Sequence, residues 1–172
     1  MALQQLMNHR LMTHRTINVA GFLTCVALML YALYAQAFLN LAPCPLCVLQ
    51  RVGVIVVGLL FLLAALQNPG LAGRRIYAGL MTLVSLAGAG VAARHIWLQN
   101  LPEEDVPACG PGLDFMLDTF PLADVLAMAF TGSGECAEIS WIFLGLSMPA
   151  WVLIAFLGLS IYAIWGNLVS LR

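Results

Sequence analysis

Polar residues are so sparse along this chain that the gaps between them define its architecture. Four stretches, Ile17–Leu39, Val48–Leu66, Ile76–Leu98 and Pro149–Leu168, carry almost none. Each approaches the roughly 20 apolar residues that a bilayer-crossing helix needs. The pattern predicts an all-α membrane protein: a four-transmembrane-helix bundle forming one integral membrane domain over 1–172, with spans at about 17–39, 48–66, 76–98 and 149–168. Two loops, at about 40–47 and 99–148, then share one side. Within the second, LDFMLDTFPLADVLAMAF (Leu113–Phe130) is apolar but broken by Asp114, Asp118, Pro121 and Asp124. It is too interrupted to span and predicts a short amphipathic helix lying at the interface.

Composition agrees. The chain is 62% hydrophobic and 9% charged, against about 25% charged in soluble domains. Charge placement gives orientation. There is no lysine; Arg10 and Arg15 precede the first span, Arg74 and Arg75 sit between the second and third, and Arg172 ends the chain. The positive-inside rule makes that side, and both termini, cytoplasmic. All eight acidic residues fall between Glu103 and Glu138, which argues against binding nucleic acid or anionic lipid. Arginines, an apolar run and Ala35-Gln36-Ala37 imitate a cleaved signal peptide, but the run is longer than a usual signal core and is expected to be a retained helix.

Five cysteines sharpen the picture. Cys25 falls mid-span; Cys44, Cys47, Cys109 and Cys136 all fall in the two non-cytoplasmic loops. Outside a bacterial inner membrane the compartment is oxidising, so disulfides can form there. Four cysteines allow three pairings; the local one is Cys44–Cys47 with Cys109–Cys136. A ring closed over two residues removes little chain entropy and makes a poor staple, but it suits exchange. A four-thiolate zinc site is the competing reading. Cys109 and Cys136 lack the second short spacing of a zinc ribbon, so redox chemistry is preferred and no resident metal is expected. Pro45 suits the first turn of a helix, whose free N–H groups would then favour a thiolate at the motif.

Two further arginines break the pattern of charge. Arg51 lies four residues after Cys47, on the same helix face, where it can stabilise a thiolate or bind a ligand oxygen. Its bland reading is a side chain snorkelling to the interface. Arg94 and His95 lie at the outer end of the third span; being adjacent, they cannot share a face. His95 can relay a proton near neutral pH, or simply pair with backbone. Ser85 with Ala89, Gly88 with Ala92 and Ala89 with Ala93 place small residues at helical spacing, which predicts close helix packing.

PCPLCVLQR (Pro43–Arg51), the histidine of ARHIWLQ (His95) and GECAEISWIFLGLSMPAW (Gly134–Trp151), set among four spans, resemble the DsbB family of bacterial disulfide bond formation proteins. The resemblance implies an inner-membrane thiol:quinone oxidoreductase with both cysteine loops periplasmic. It implies that Cys109 takes the mixed disulfide with a DsbA-like thioredoxin-fold oxidase. Cys136, its loop partner, would attack Cys44 and release Cys47 toward the quinone, with Arg51 and His95 as quinone-binding positions. The implied electron acceptor is membrane ubiquinone, or menaquinone. A paralogue serving a dedicated partner, a small thiolate metal protein and a disulfide-stapled scaffold are the competing readings.

Overall fold

The computed structural model describes the backbone of all residues except 1, 42, 108–117, 120, 122–123, 125–126, 128–129, 131 and 170–172; the side chains of 2–13, 103 and 169 are likewise outside the described set. Four long helices dominate: α1 (Ala2–Phe38), α2 (Pro45–Gln67), α3 (Leu71–Gln99) and α5 (Met148–Ile164), the last continuing as a π-helical turn, Trp165–Val169. All four contain segments long and apolar enough to cross a membrane. Between α3 and α5 lie a 3-10 turn at Glu103–Asp105, the one-turn helix α4 (Gly134–Ala137) and a hairpin of β1 (Ile142–Phe143) and β2 (Leu146–Ser147). In the amphipathic stretch 113–130, the described positions Asp118, Thr119, Asp124, Ala127 and Phe130 are helical and exposed.

Helix boundaries follow local chemistry. Cys44 is extended and caps α2, its sulfur accepting the Cys47 N–H, with Pro45 in the first turn. Proline there sacrifices only an N–H that has no intrahelical partner. Asn68 closes α2 in the left-handed region at φ 42°, a conformation asparagine tolerates better than most residues. The link to α3 is short, and Arg74 donates from Nε to the Pro69 carbonyl, 2.9 Å away.

Lipid supplies no hydrophobic drive between helices, so close packing of shape must hold the bundle. Phe156 of α5 is fully buried and wedges between Gly53 of α2 and Gly88 of α3. Phe61 seats against Gly21 of α1 in the same way. Ser85, Gly88, Ala89 and Ala92 are buried as their spacing predicted, whereas Ala93 faces outward. A side chain at Gly88 would collide with the Phe156 ring. Gly88→Val is therefore expected to destabilise the detergent-solubilised protein by about 1–3 kcal/mol; thermal unfolding checks this, and an unchanged midpoint would contradict the wedge.

Polar contacts tie the opposite end. Asn18 donates to the His14 carbonyl at 3.0 Å and to Asn167 Oδ1 at 3.4 Å, while the Tyr162 hydroxyl donates to the Ile17 carbonyl at 2.9 Å. The bonds to Asn167 and from Tyr162 join α1 to α5 and the turn that follows it. α1 packs mainly on α2 and touches α5 little, which leaves room for a cavity between α1 and α5.

Candidate functional site

The cysteine end of the bundle holds three sulfurs and one imidazole in a small volume. Cys44 Sγ donates to Cys47 Sγ at 3.1 Å and lies 3.8 Å from His95 Nε2. The ligating atoms of Cys44, His95 and Cys136 all fall within 4.8 Å of one another. Cys44 and His95 are buried, and Cys136 has no solvent exposure. The described cysteines, Cys25, Cys44, Cys47 and Cys136, are free thiols. Cys109 lies outside the described residues.

Backbone geometry explains how Cys136 arrives from a distant loop. Gly132 sits at φ +83°, and a side chain there would meet Leu98. Glycine is the residue that permits both the positive φ and the close approach. The chain then turns into α4, where Cys136 N–H donates to the Ser133 carbonyl at 2.8 Å. Leu46, Leu98 and Cys136 form a dry satellite core with Cys44. A backbone N–H of Leu46, at the start of α2, also reaches the Cys136 sulfur.

Those contacts polarise the pair. The Cys44 thiol is pushed up, first by its hydrogen bond to Cys136, then by that to Cys47 and by burial. Cys136 is pulled down to about 6, chiefly by the hydrogen bond from Cys44, against burial and with help from Ser133 and the Leu46 amide. Cys44 thus holds its proton more tightly than Cys136, which is the easier of the two to ionise. Because the folded value is depressed, the stabilisation is full above the ordinary thiol range and is lost as pH falls through about 6. In reduced, chelator-treated protein, the thiolate absorbance that Cys136→Ser removes is expected to persist at pH 7 and vanish through pH 6. Loss already at pH 8 would contradict this arrangement.

His95, not Arg94, turns inward. Arg94 stacks over Trp97, 4.2 Å from the ring centroid, and Trp97 is exposed. Gln50, buried on α2, places Nε2 3.4 Å from His95 Nδ1. In the tautomer that accepts this bond at Nδ1, Nε2 carries the proton toward the sulfurs. Arg51 is held by α1: Nη1 donates to Gln36 Oε1 at 2.6 Å and Nη2 to the Ala32 carbonyl at 3.2 Å. Sequence reasoning missed Gln36 and Gln50. The signal was available, since amides inside apolar spans are costly unless paired. Cys25 lies buried away from this site, against Gly58 and Phe22 in the bundle core.

Beside the sulfurs opens a cavity of about 770 Å³. Its polar lining includes Cys44, Cys47, Gln50, Arg51 and His95 together with the carboxylates of Glu135 and Glu138, and Met29, Val54, Trp151 and Val152 are among its apolar walls. An apolar cleft of this size with a few convergent polar groups is the usual form of a small-molecule site.

The family model for "Disulfide bond formation protein DsbB" matches residues 14–166. The chain belongs to the DsbB family. Curated relatives named "Disulfide bond formation protein B" are similar over nearly their whole length. The one from Saccharophagus degradans is 51% identical over 159 residues, covering 92% of this chain and 96% of the relative. The one from Nitrosococcus oceani is 52% identical, covering 88% and 89%, and that from Stutzerimonas stutzeri 42%, covering 91% and 96%. DsbB-family membership makes the chain an oxidoreductase of disulfide formation, and the four apolar helices make it a multi-pass membrane protein.

Proposed function

We propose that the chain reoxidises a periplasmic DsbA-like dithiol oxidase and passes the electrons through its two cysteine pairs to membrane quinone. The observation that carries this reading is the position of Cys44, shared between Cys47 and Cys136 at the edge of an apolar cavity. A sulfur with two sulfur neighbours can exchange one disulfide for another without large motion. The charge pattern supports an orientation with the arginine-bearing ends in the cytoplasm and the cysteine loops in the periplasm.

The relay balances as follows. A partner thiolate attacks the Cys109–Cys136 disulfide at Cys109, forming a mixed disulfide and freeing Cys136 as thiolate. The partner's second thiol resolves that bond, leaving the partner oxidised and Cys109 reduced. Cys136 attacks Cys44 in the Cys44–Cys47 disulfide, and Cys47 departs as thiolate. Cys109 then displaces Cys44 from Cys136, restoring the loop disulfide and leaving Cys44 and Cys47 reduced. Quinone, when bound, supplies the two-electron, two-proton sink that returns Cys44 and Cys47 to a disulfide.

The cavity suits such a ligand in volume, in its apolar walls and in the cationic Arg51 beside the sulfurs. Arg51 would donate to a ligand oxygen, using N–H groups not committed to Gln36 and Ala32. His95 would hold a proton at Nε2 beside Cys44 in the tautomer that accepts from Gln50 at Nδ1. Ubiquinone and menaquinone share the carbonyl chemistry these donors recognise.

In this scheme the partner's second thiol resolves the mixed disulfide. Cells supplied with exported thioredoxin-fold proteins whose second active-site cysteine is replaced by serine are expected to accumulate a disulfide-linked adduct between Cys109 and such a partner on non-reducing gels, absent when Cys109 is replaced. If no adduct forms with any exported dithiol protein, the partner reading fails.

A further inference from the structure

The cluster around Cys44 has a second chemical capability, independent of electron transfer. Tetrahedral zinc takes sulfur at about 2.3 Å and imidazole nitrogen at about 2.0–2.1 Å, which sets ligand–ligand edges of roughly 3.5–3.8 Å. The Cys44 sulfur and His95 Nε2 are already 3.8 Å apart. Cys136 lies within 4.8 Å of both, and all three residues are buried. Cys47 Sγ is 3.1 Å from Cys44 Sγ, and His95 also hydrogen-bonds Cys47. A fourth ligand thus stands beside Cys44, outside the 4.8 Å group, and a shift of Cys47 toward Cys136 would complete a three-cysteine, one-histidine tetrahedron.

We propose that the reduced protein binds one thiophilic divalent cation, of the Zn²⁺ class, through Cys44, Cys47, Cys136 and His95. No electron moves on binding. The thiols surrender their protons to solvent, and neutral His95 ligates through Nε2. Gln50 suits both states of the ring, because its amide can present an acceptor to Nδ1–H as readily as a donor to bare Nδ1. Oxidation of Cys44 to a disulfide with either neighbour removes two ligands at once, so the metal and the disulfide exclude one another. The bound cation would be a brake on the reduced enzyme, locking the sulfurs that the proposed relay needs. Cys109 is not a ligand in this scheme, which distinguishes it from a four-thiolate site formed by the loop cysteines.

The test uses the full chain in detergent, reduced without oxygen and freed of reductant. Zn²⁺ is titrated and retained metal is measured after desalting; Co²⁺ in its place reports tetrahedral thiolate coordination by its visible spectrum. The expected result is one Zn²⁺ per reduced chain and none on the oxidised protein. Affinity should fall at least about tenfold in Cys136→Ser and His95→Leu, and stay unchanged in Cys25→Ser and Cys109→Ser. Equal retention by oxidised and reduced protein, or by His95→Leu and Cys136→Ser at wild-type affinity, would overturn the proposal. So would loss of binding in Cys109→Ser alone. Helical circular dichroism on each variant excludes misfolding as the cause. Quinone reduction is assayed on the same metal-free preparation. A protein that turns over but takes no zinc refutes this inference and leaves the relay standing; one that binds zinc but never reduces quinone does the reverse.

Discussion

Cys47→Ser is expected to abolish quinone reduction, by at least about a thousandfold, while leaving the helical bundle intact. Groups that act as one chemical unit lose nearly all rate when one is removed, and serine can neither form nor leave a disulfide. The fold should survive because Cys47 sits at the start of α2, where the cap is made by Cys44 and Pro45 and the Cys47 backbone N–H is retained. A two-residue ring was never a staple, so its loss removes little stability. Steady-state quinone reduction, with thermal unfolding as the control, measures both halves. Retained turnover would show that electrons leave the protein by another group.

Arg51→Leu should act on the ligand rather than on the sulfurs. Arg51 is the cationic group of the cavity's polar corner, and two bonds to α1 fix its guanidinium there. A hydrogen bond to a charged group contributes about 1.5–3 kcal/mol, so the apparent KM for quinone is expected to rise about ten- to a hundredfold. Exchange between partner and loop cysteines should proceed at its normal rate in a single turnover. Gln36→Leu should reproduce the effect in weaker form, since it loosens Arg51 without deleting it. An unchanged KM in Arg51→Leu would place the quinone elsewhere.

Much of this was legible in the residues. The four spans followed from the gaps between polar positions, because lipid tolerates only helices with internally satisfied backbones. Cys47 and Arg51 share a face by simple helical spacing, and both line the cavity. The adjacency of Arg94 and His95 said that one must turn away, but not which. That depends on how α3 packs, with Ser85, Gly88, Ala92 and His95 on its buried stripe. Spacing could not bring Cys136 to Cys44, because a loop separates them and the turn at Gly132 decides the approach; only the family resemblance suggested that contact. Gln36 and Gln50 were overlooked for want of a charge, although an amide in a span, exposed as at Gln36 or buried as at Gln50, needs a partner as much as an ion does. His14, given no role from sequence, lies buried at the far end beside Asn18 and Asn167.

In the proposed relay the sulfurs beside the cavity drain electrons into a lipid-soluble acceptor. The most direct measurement adds a reduced thioredoxin-fold dithiol protein and ubiquinone to the purified chain without oxygen, and follows the quinone ultraviolet band. The account predicts loss of one quinone per disulfide formed in the partner, and no loss with Cys47→Ser. If the band persists with ubiquinone and with menaquinone, across several exported dithiol partners, the relay to quinone is contradicted.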